Sequence, residues 1–524
     1  MTRHPNVALV VLDTARAADT PPSRADTMPT LAALAAEGTV YERAFATAPW
    51  TVPSHASLFT GTYPSCHGTH GDHTYLAEGH RLLAESFADS GYETIGVSNN
   101  TWVTEEFGFA RGFETFWKGW QYWQSDADMG TVARADEPAE KLRRAAAHLF
   151  DGNPLVNAVN VAYSELLQPA GDDGAARTTD RIEGWLADRD DDRPFFLFAN
   201  YIEPHVRYRP PREHAEPFLP ADATYEEATE IRQDPRAYDV GEYELTERDC
   251  RLLAALYRGE LSYVDSQLQR LRAALREAGE WEDTLLVVVG DHGENVGDHG
   301  FLGHQYNLYD TVLHVPLVLT GGAFSREAGG TGDAGGNGGT TDAAETGTGE
   351  TGTGEAGKAG GTIRGDLVQL SDLVPTLLDA TGVSDPELRE QCRGQARSFH
   401  PELSTDAGRD AVYAEYVAPQ PSMARLEERF GHVPEHVREY DRSLRVIRTD
   451  RWKLVSGSDG HEELYDVRAD PDEATDLSAD RPERASQLRS RLETWHDSLD
   501  HAEATGEVSM SAETEQRLQN LGYL

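Results

Sequence analysis

The sequence predicts an α/β protein: a mixed, mostly parallel sheet between helices, followed by a smaller C-terminal antiparallel-sheet subdomain. Three observations carry this. Residues 7–12, 194–200 and 284–290 are nearly unbroken apolar runs of strand length, the pattern of strands buried on both faces of a parallel sheet. Segments with helical apolar spacing alternate with them, as crossover helices do. From Leu444 onward the chain turns to short alternating runs, which suit a sheet with one wet face.

Taken in order, residues 7–12 form the first strand and Asp13 stands at its carboxyl end. Residues 28–37 are helical and stop at Gly38, a common helix terminator. A short strand over 40–45 leads to Ala48-Pro49-Trp50-Thr51-Val52-Pro53-Ser54-His55, where a loop becomes a helix. Thr51 is placed just before that helical run, with Pro53 near its start, where a missing N–H costs nothing. Residues 81–90 read as helix and 92–97 as strand. Residues 102–180 are rich in Trp, Asp and Ala and are expected to be an insertion of helices and loops; Trp117, Trp120 and Trp123 suit packing or a substrate cleft. A helix over 179–188 precedes the strand 194–200, which delivers Glu203-Pro204-His205. A long amphipathic helix spans 252–278, and the strand 284–290 delivers Asp291-His292-Gly293-Glu294. Residues 312–319 read as a further strand, with Pro316 marking an edge or end.

Residues 321–361 are Gly, Thr, Glu, Ala and Asp with almost nothing apolar, so they are expected to be disordered. A helix over 367–380 follows, then short strands over 444–448, 452–455 and 463–467, and a helix over 480–500. These signals divide the chain into a catalytic α/β domain over 1–400 and a C-terminal subdomain over 401–524. The first holds the insertions at 102–180 and 321–361.

The 524 residues carry 90 Asp+Glu against 47 Lys+Arg, a net charge of −43. Lys118, Lys141, Lys358 and Lys453 are the only lysines. Acid spread along the whole chain suits a surface kept hydrated in high salt, as in halophiles, and disfavours nucleic acid or an anionic membrane as partner. Cys66, Cys250 and Cys392 are odd in number and far apart, which disfavours a disulfide framework or a structural zinc site. No run approaches the ~20 apolar residues of a membrane helix, and the start lacks the apolar core of a signal peptide. A cytoplasmic location is expected.

Polar groups of metal-ligand type follow three of the buried strands: Asp13, His205, and Asp291 with His292. Open α/β sheets bind ligands at that edge. Each such residue has an ordinary use as a turn former or hydrogen-bonder. Thr51 likewise suits a plain helix cap. Together, two carboxylates, an imidazole and the Thr51 oxygen complete a site for one divalent ion, with Ca²⁺, Mg²⁺, Mn²⁺ and Zn²⁺ all open. Such an ion would turn the Thr51 hydroxyl into a nucleophile. His55 lies one helical turn beyond Thr51. With His205 and His304 it is a candidate to hold a ligand oxygen or move a proton.

These stretches resemble the sulfatase family of the alkaline phosphatase superfamily. NVALVVLDTAR (6–16) resembles the first strand and its metal-binding Asp, and PWTVPSHASLFTG (49–61) the nucleophile motif. Glu203-Pro204-His205 resembles the substrate-side His, and GDHGENVGDHGFLGH (290–304) the second metal motif with its trailing cationic residue. SDLVPTLLDATG (371–382), residues 452–477 and the terminal Leu-Gly-Tyr-Leu are also similar. The resemblance implies an alkaline-phosphatase-like fold and ester hydrolysis. One departure matters. The family converts a Cys or Ser at the Thr51 position into formylglycine, and has Arg where His55 stands. Thr cannot become that aldehyde, because its secondary alcohol oxidises to a ketone. Related members with an unmodified Thr act on phosphorus, which implies hydrolysis or transfer at a phosphate mono- or diester. Sulfate-ester hydrolysis without formylglycine is the close alternative. A non-catalytic relative that binds an anionic ligand is the alternative from another class. The implied partner is a small-molecule, glycan-linked or lipid-linked anionic ester; oligomeric state is open.

Overall fold

The computed structural model describes residues 4–119, 172–325, 361–403 and 408–502. Residues 326–360 of the low-complexity tract, Trp120, Trp123 and the terminal Leu-Gly-Tyr-Leu lie outside these residues; the start of that tract is ordered, Gly322–Phe324 forming a helical turn with Phe324 buried. A mixed sheet of nine strands forms the centre among the described residues. In chain order its strands are β1 (Asn6–Leu12), β2 (Thr39–Phe45), β3 (Glu93–Ser98), β4 (Thr115–Lys118), β5 (Phe195–Tyr201) and β6 (Thr284–Gly290). After the short hairpin β7 (Asn295–Val296) and β8 (Leu302–Gly303) come β9 (His314–Val315), β10 (Leu317–Thr320) and β11 (Thr362–Gln369). The spatial order is β11-β2-β10-β6-β1-β5-β3-β4, with β9 also on β2. β1 runs parallel to both β5 and β6, whereas β10 runs antiparallel to β6 and β2.

Side-chain alternation explains the two cores. Val7, Leu9 and Val11 of β1 join Phe196 and Phe198 of β5 on one face, against Val52, Ala56 and Phe59 of the helix Thr51–Thr60. Ala8, Val10 and Leu12 join Leu197 and Ala199 on the other, against Leu31 and Leu34 and the long helix Glu247–Glu277. Full burial of each such side chain stabilises by about 1.5–3 kcal/mol, which is why these strands tolerate no polar face. The long helix begins in a capping box: Thr246 Oγ1 accepts from Asp249 N–H, and the Asp249 carboxylate accepts from Thr246 N–H. Trp117 is half-buried and packs on the second core.

The C-terminal part is a four-stranded antiparallel sheet, β12 (Ala411–Tyr416), β13 (Leu444–Thr449), β14 (Trp452–Gly457) and β15 (Glu462–Asp466). The helix Pro482–Asp497 covers one face through Ala485, Leu488 and Leu492. No helix among the described residues is long and apolar enough to cross a membrane. Cys66, Cys250 and Cys392 are all unpaired.

Three local expectations are corrected. The segment 312–319 is a helical turn, Asp310–Leu313, followed by two short strands separated by Pro316. Pro316 therefore interrupts a strand inside the sheet. The helix expected over 367–380 is Leu373–Thr381; residues 367–369 close β11 and Leu370–Asp372 form a helical turn between them. Thr51 is the first residue of its helix and Trp50 occupies the cap, with no side-chain capping bond.

Candidate metal centre and active site

Register brings the strand ends together. Leu12 of β1 pairs with Gly290 of β6 and with Tyr201 of β5, so Asp13 and Asp291 emerge side by side. On the far side of β5, Ser98 of β3 pairs with Asn200, which sets Asn100 at the same edge. The helix Thr51–Thr60 is docked on Asp291 by its second turn. Ser54 Oγ donates to the Asp291 carbonyl at 2.5 Å, and His55 Nδ1 lies 3.4 Å from Asp291 Oδ2. That docking brings Thr51 Oγ1 beside His292 and Asn100.

Asp13, Asp291 and His292 each turn a ligand atom inward, all within 4.8 Å of one another and all buried. Asp291 Oδ1 accepts from the Thr14 and His292 amides, at 3.1 and 2.8 Å. Asp13 Oδ2 accepts from the Asn100 side-chain amide. The remaining oxygens, Asp13 Oδ1 and Asp291 Oδ2, are buried without a hydrogen-bond partner. His292 Nδ1 is 2.9 Å from the Gly293 carbonyl, to which it donates, so Nε2 carries the lone pair. That nitrogen is 3.8 Å from Asp13 Oδ1, 3.5 Å from Asp291 Oδ2 and 3.4 Å from Thr51 Oγ1.

Electrostatics point the same way. Burial, then the neighbouring Asp291 charge, push the Asp13 carboxyl well above its ordinary value. Burial raises Asp291 to about 6, and burial with the nearby His304 drives His292 down to about 3. Two carboxylates packed together out of water need a cation or a proton. Two orphaned oxygens, a correctly tautomerised imidazole and a facing hydroxyl fit a divalent cation.

The other predicted residues surround this centre. His55 is fully buried, edge-on to Phe109 and Phe198. Its Nδ1 is 3.0 Å from the Thr51 carbonyl, and Nε2 is 3.5 Å from Asn200 Nδ2. His55 thus ties the helix Thr51–Thr60 to Asp291 and β5. His304 lies with its ring 4.6 Å from that of His292, and His205 is 5.3 Å beyond it. His304 Nδ1 contacts Glu294 Oε1 at 2.9 Å, and His205 Nδ1 the Val206 carbonyl at 2.5 Å. Burial drives both imidazoles down to about 3.

Two residues of this network were not singled out from the sequence. Asn100 Nδ2 reaches Thr51 Oγ1 at 3.4 Å as well as Asp13. Glu294 holds His304 with one oxygen and accepts from the Val206 amide with the other, at 3.3 Å. The signals were present: Asn100 follows a strand end as Asp13 does, and Glu294 lies two residues beyond His292.

Comparisons with known proteins identify the family and the fold. The family model described as sulfatase matches residues 5–383. The arylsulfatase of Clostridium perfringens (strain 13 / Type A) is 23% identical over 484 residues, covering 88% of each chain. The multifunctional alkaline phosphatase superfamily protein PehA of Trinickia caryophylli is 25% identical over 567 residues, covering 96% of this chain and 97% of its own. Among solved structures, the phosphonate monoester hydrolase of Agrobacterium radiobacter superposes with a TM-score of 0.64 at 21% identity, covering 94% of this chain and 95% of its own. The chain belongs to the sulfatase family, and is an ester hydrolase of the alkaline phosphatase superfamily with an Asp13–Asp291–His292 cluster suited to a metal ion.

Proposed function

We propose that this enzyme cleaves a phosphate mono- or diester, with Thr51 as nucleophile. The observation that carries the reading is the position of Thr51 Oγ1, 3.4 Å from His292 Nε2 and 3.4 Å from the Asn100 amide nitrogen that also bonds Asp13. Asp13, Asp291, His292 and the Thr51 oxygen would hold one divalent cation, of identity open among Ca²⁺, Mg²⁺, Mn²⁺ and Zn²⁺. When bound, such an ion lowers the hydroxyl pKa and polarises the ester oxygens.

The chain's own groups do the rest. Asn100 fixes the Thr51 oxygen and Asp13 together. Thr51 Oγ1 loses its proton and forms a bond to phosphorus as the P–O bond to the ester oxygen breaks, and the departing oxygen takes up a proton and leaves as the alcohol. In the second half, water attacks the Thr51 phosphoester and gives up a proton while Thr51 is released. An alcohol in place of that water makes the same step a transfer. His304, whose Nδ1 contacts Glu294 and whose ring lies 4.6 Å from that of His292, is the candidate for the proton transfer. His205, whose Nδ1 contacts the Val206 carbonyl, is the second candidate. His55 acts by position.

Phosphorus is favoured over sulfur by the exit chemistry. Formylglycine expels sulfate by collapse of a hemiacetal, and a threonine ester has no second hydroxyl to drive that collapse. Membership of the sulfatase family supports sulfate esters as the second reading. Nitrophenyl phosphate monoesters, diesters, a phosphonate monoester and a sulfate, assayed with each metal in high salt, decide between them. Turnover of a phosphate ester with sulfate slower by at least tenfold is expected. Preferential sulfate turnover overturns the phosphoester reading.

A further inference from the structure

The turn that follows Asp13 is strained and is held from a distance. Thr14 is fully buried and β-branched, yet has φ +61°. Left-handed backbone is an outlier for such a residue and persists only where its surroundings impose it. The Thr14 hydroxyl is buried with no hydrogen-bond partner, so its side chain does not supply the restraint. The conformation has a use. It presents the Thr14 amide to Asp291 Oδ1 at 3.1 Å, which leaves Asp291 Oδ2 facing the centre. Thr14 thereby couples the two carboxylates across two strands.

The restraint comes from Tyr257, midway along the long helix Glu247–Glu277. Its hydroxyl donates to the Thr14 carbonyl at 2.8 Å and accepts from the Arg16 amide at 2.9 Å. Both hydrogen-bonding capacities are thus spent on the one turn. The ring has no room to drift: Tyr208 packs edge-on at 5.5 Å, and the Arg16 guanidinium lies over it at 5.1 Å. Arg16 is itself tied to Asp19, Asp298 and the Glu294 carbonyl. Groups that orient ligands from outside the coordination sphere commonly change metal affinity by about 10–100-fold.

We propose that the Tyr257 hydroxyl is a positioning group that sets the affinity of the Asp13–Asp291–His292 cluster for its cation by clamping the Thr14 turn. This rests on the cluster binding a metal, and goes beyond it by locating the control of affinity on a helix that supplies no ligand. The test is calorimetric titration of chelator-stripped full-length protein with Mn²⁺, Mg²⁺, Ca²⁺ and Zn²⁺, each alone. Wild type is compared with Tyr257→Phe and with Tyr257→Phe/Thr14→Gly. Tyr257→Phe is expected to bind the tightest of these ions at least tenfold more weakly. Glycine accepts φ +61° without strain, so the double variant is expected to recover most of that loss, and it carries the test if the single variant does not fold. A Tyr257→Phe protein that melts earlier but binds the ion as wild type does would show a merely structural contact and overturn the proposal, as would a double variant no tighter than the single. Wild type that takes up none of the four ions defeats the metal-site reading itself, and the clamp with it.

Discussion

Thr51 Oγ1 and Asn100 Nδ2 stand 3.4 Å apart, and the same nitrogen bonds Asp13. One amide thus spans the proposed nucleophile and a proposed metal ligand. Its oxygen accepts from the Trp102 amide at 2.9 Å, which fixes which end of the side chain points inward. Asn100→Ala is therefore expected to lower kcat by roughly 10–100-fold, the usual size of an orienting contact, with KM changed much less. Steady-state kinetics on the preferred nitrophenyl ester check this. An unchanged kcat contradicts the assignment.

Metal removal is expected to destabilise the fold. Without a cation, Asp13 Oδ1 and Asp291 Oδ2 are buried and unpartnered. A bound ion adds RT ln(1 + [L]/Kd), about 2.7 kcal/mol at a hundredfold excess over Kd. Chelator should lower the melting temperature, and the cognate ion should restore it. Asp291→Asn should abolish that ion-dependent rise. Equal melting with and without chelator counts against the site.

Lys453 is completely buried, with Nζ 2.8 Å from Asp310 Oδ1 and 2.6 Å from Glu473 Oε1. Arg448 reaches the other Asp310 oxygen at 3.1 Å. This cluster fastens β13 and β14 to the segment leading into β9. Lys453→Met leaves the buried Glu473 without a cation and Asp310 with Arg448 alone, and breaking a buried pair this way typically costs about 3–5 kcal/mol. Urea denaturation measures the loss, and a change below about 1 kcal/mol, as for an exposed pair, refutes the role.

Asp239 gives a pH signature in stability. Burial pushes its carboxyl up to about 7 despite Arg236, and its Oδ2 has no hydrogen-bond partner. A raised pKa means the folded state prefers the proton. The associated stability is present below the unfolded carboxylate value and is lost as pH rises through about 7. Asp239→Asn mimics the protonated form. It should match wild type near pH 4 and become increasingly more stable up to pH 7, by at most about 1.4 kcal/mol per pH unit. Melting curves across that range test it, and a constant offset contradicts it.

The sequence revealed most where one physical demand dominated. β1, β5 and β6 are buried on both faces and therefore read as plain apolar runs, and Asp13, His205, Asp291 and His292 follow them directly. β11 escaped notice because it is an edge strand whose first five residues are exposed, so no apolar run marks it. β12 went unread although it is as long as β13 and β14. The segment 312–319 misled because Val312 and Leu313 are as apolar as a strand but complete a helical turn before Pro316. Asn100 was hidden because Ser-Asn-Asn after a strand is ordinary turn chemistry, and only the register of β3 on β5 carries it to Thr51.

The central claim is that Thr51 becomes covalently attached to the group it removes. The direct measurement is mass spectrometry of the Thr51 peptide after acid quench during turnover of a phosphate ester in the presence of the cognate ion. The account predicts a phosphoryl group on Thr51 in wild type and none in Thr51→Ala, with turnover in that variant reduced by at least a thousandfold. Full turnover by Thr51→Ala, or a phosphoryl group found on another residue, would contradict it.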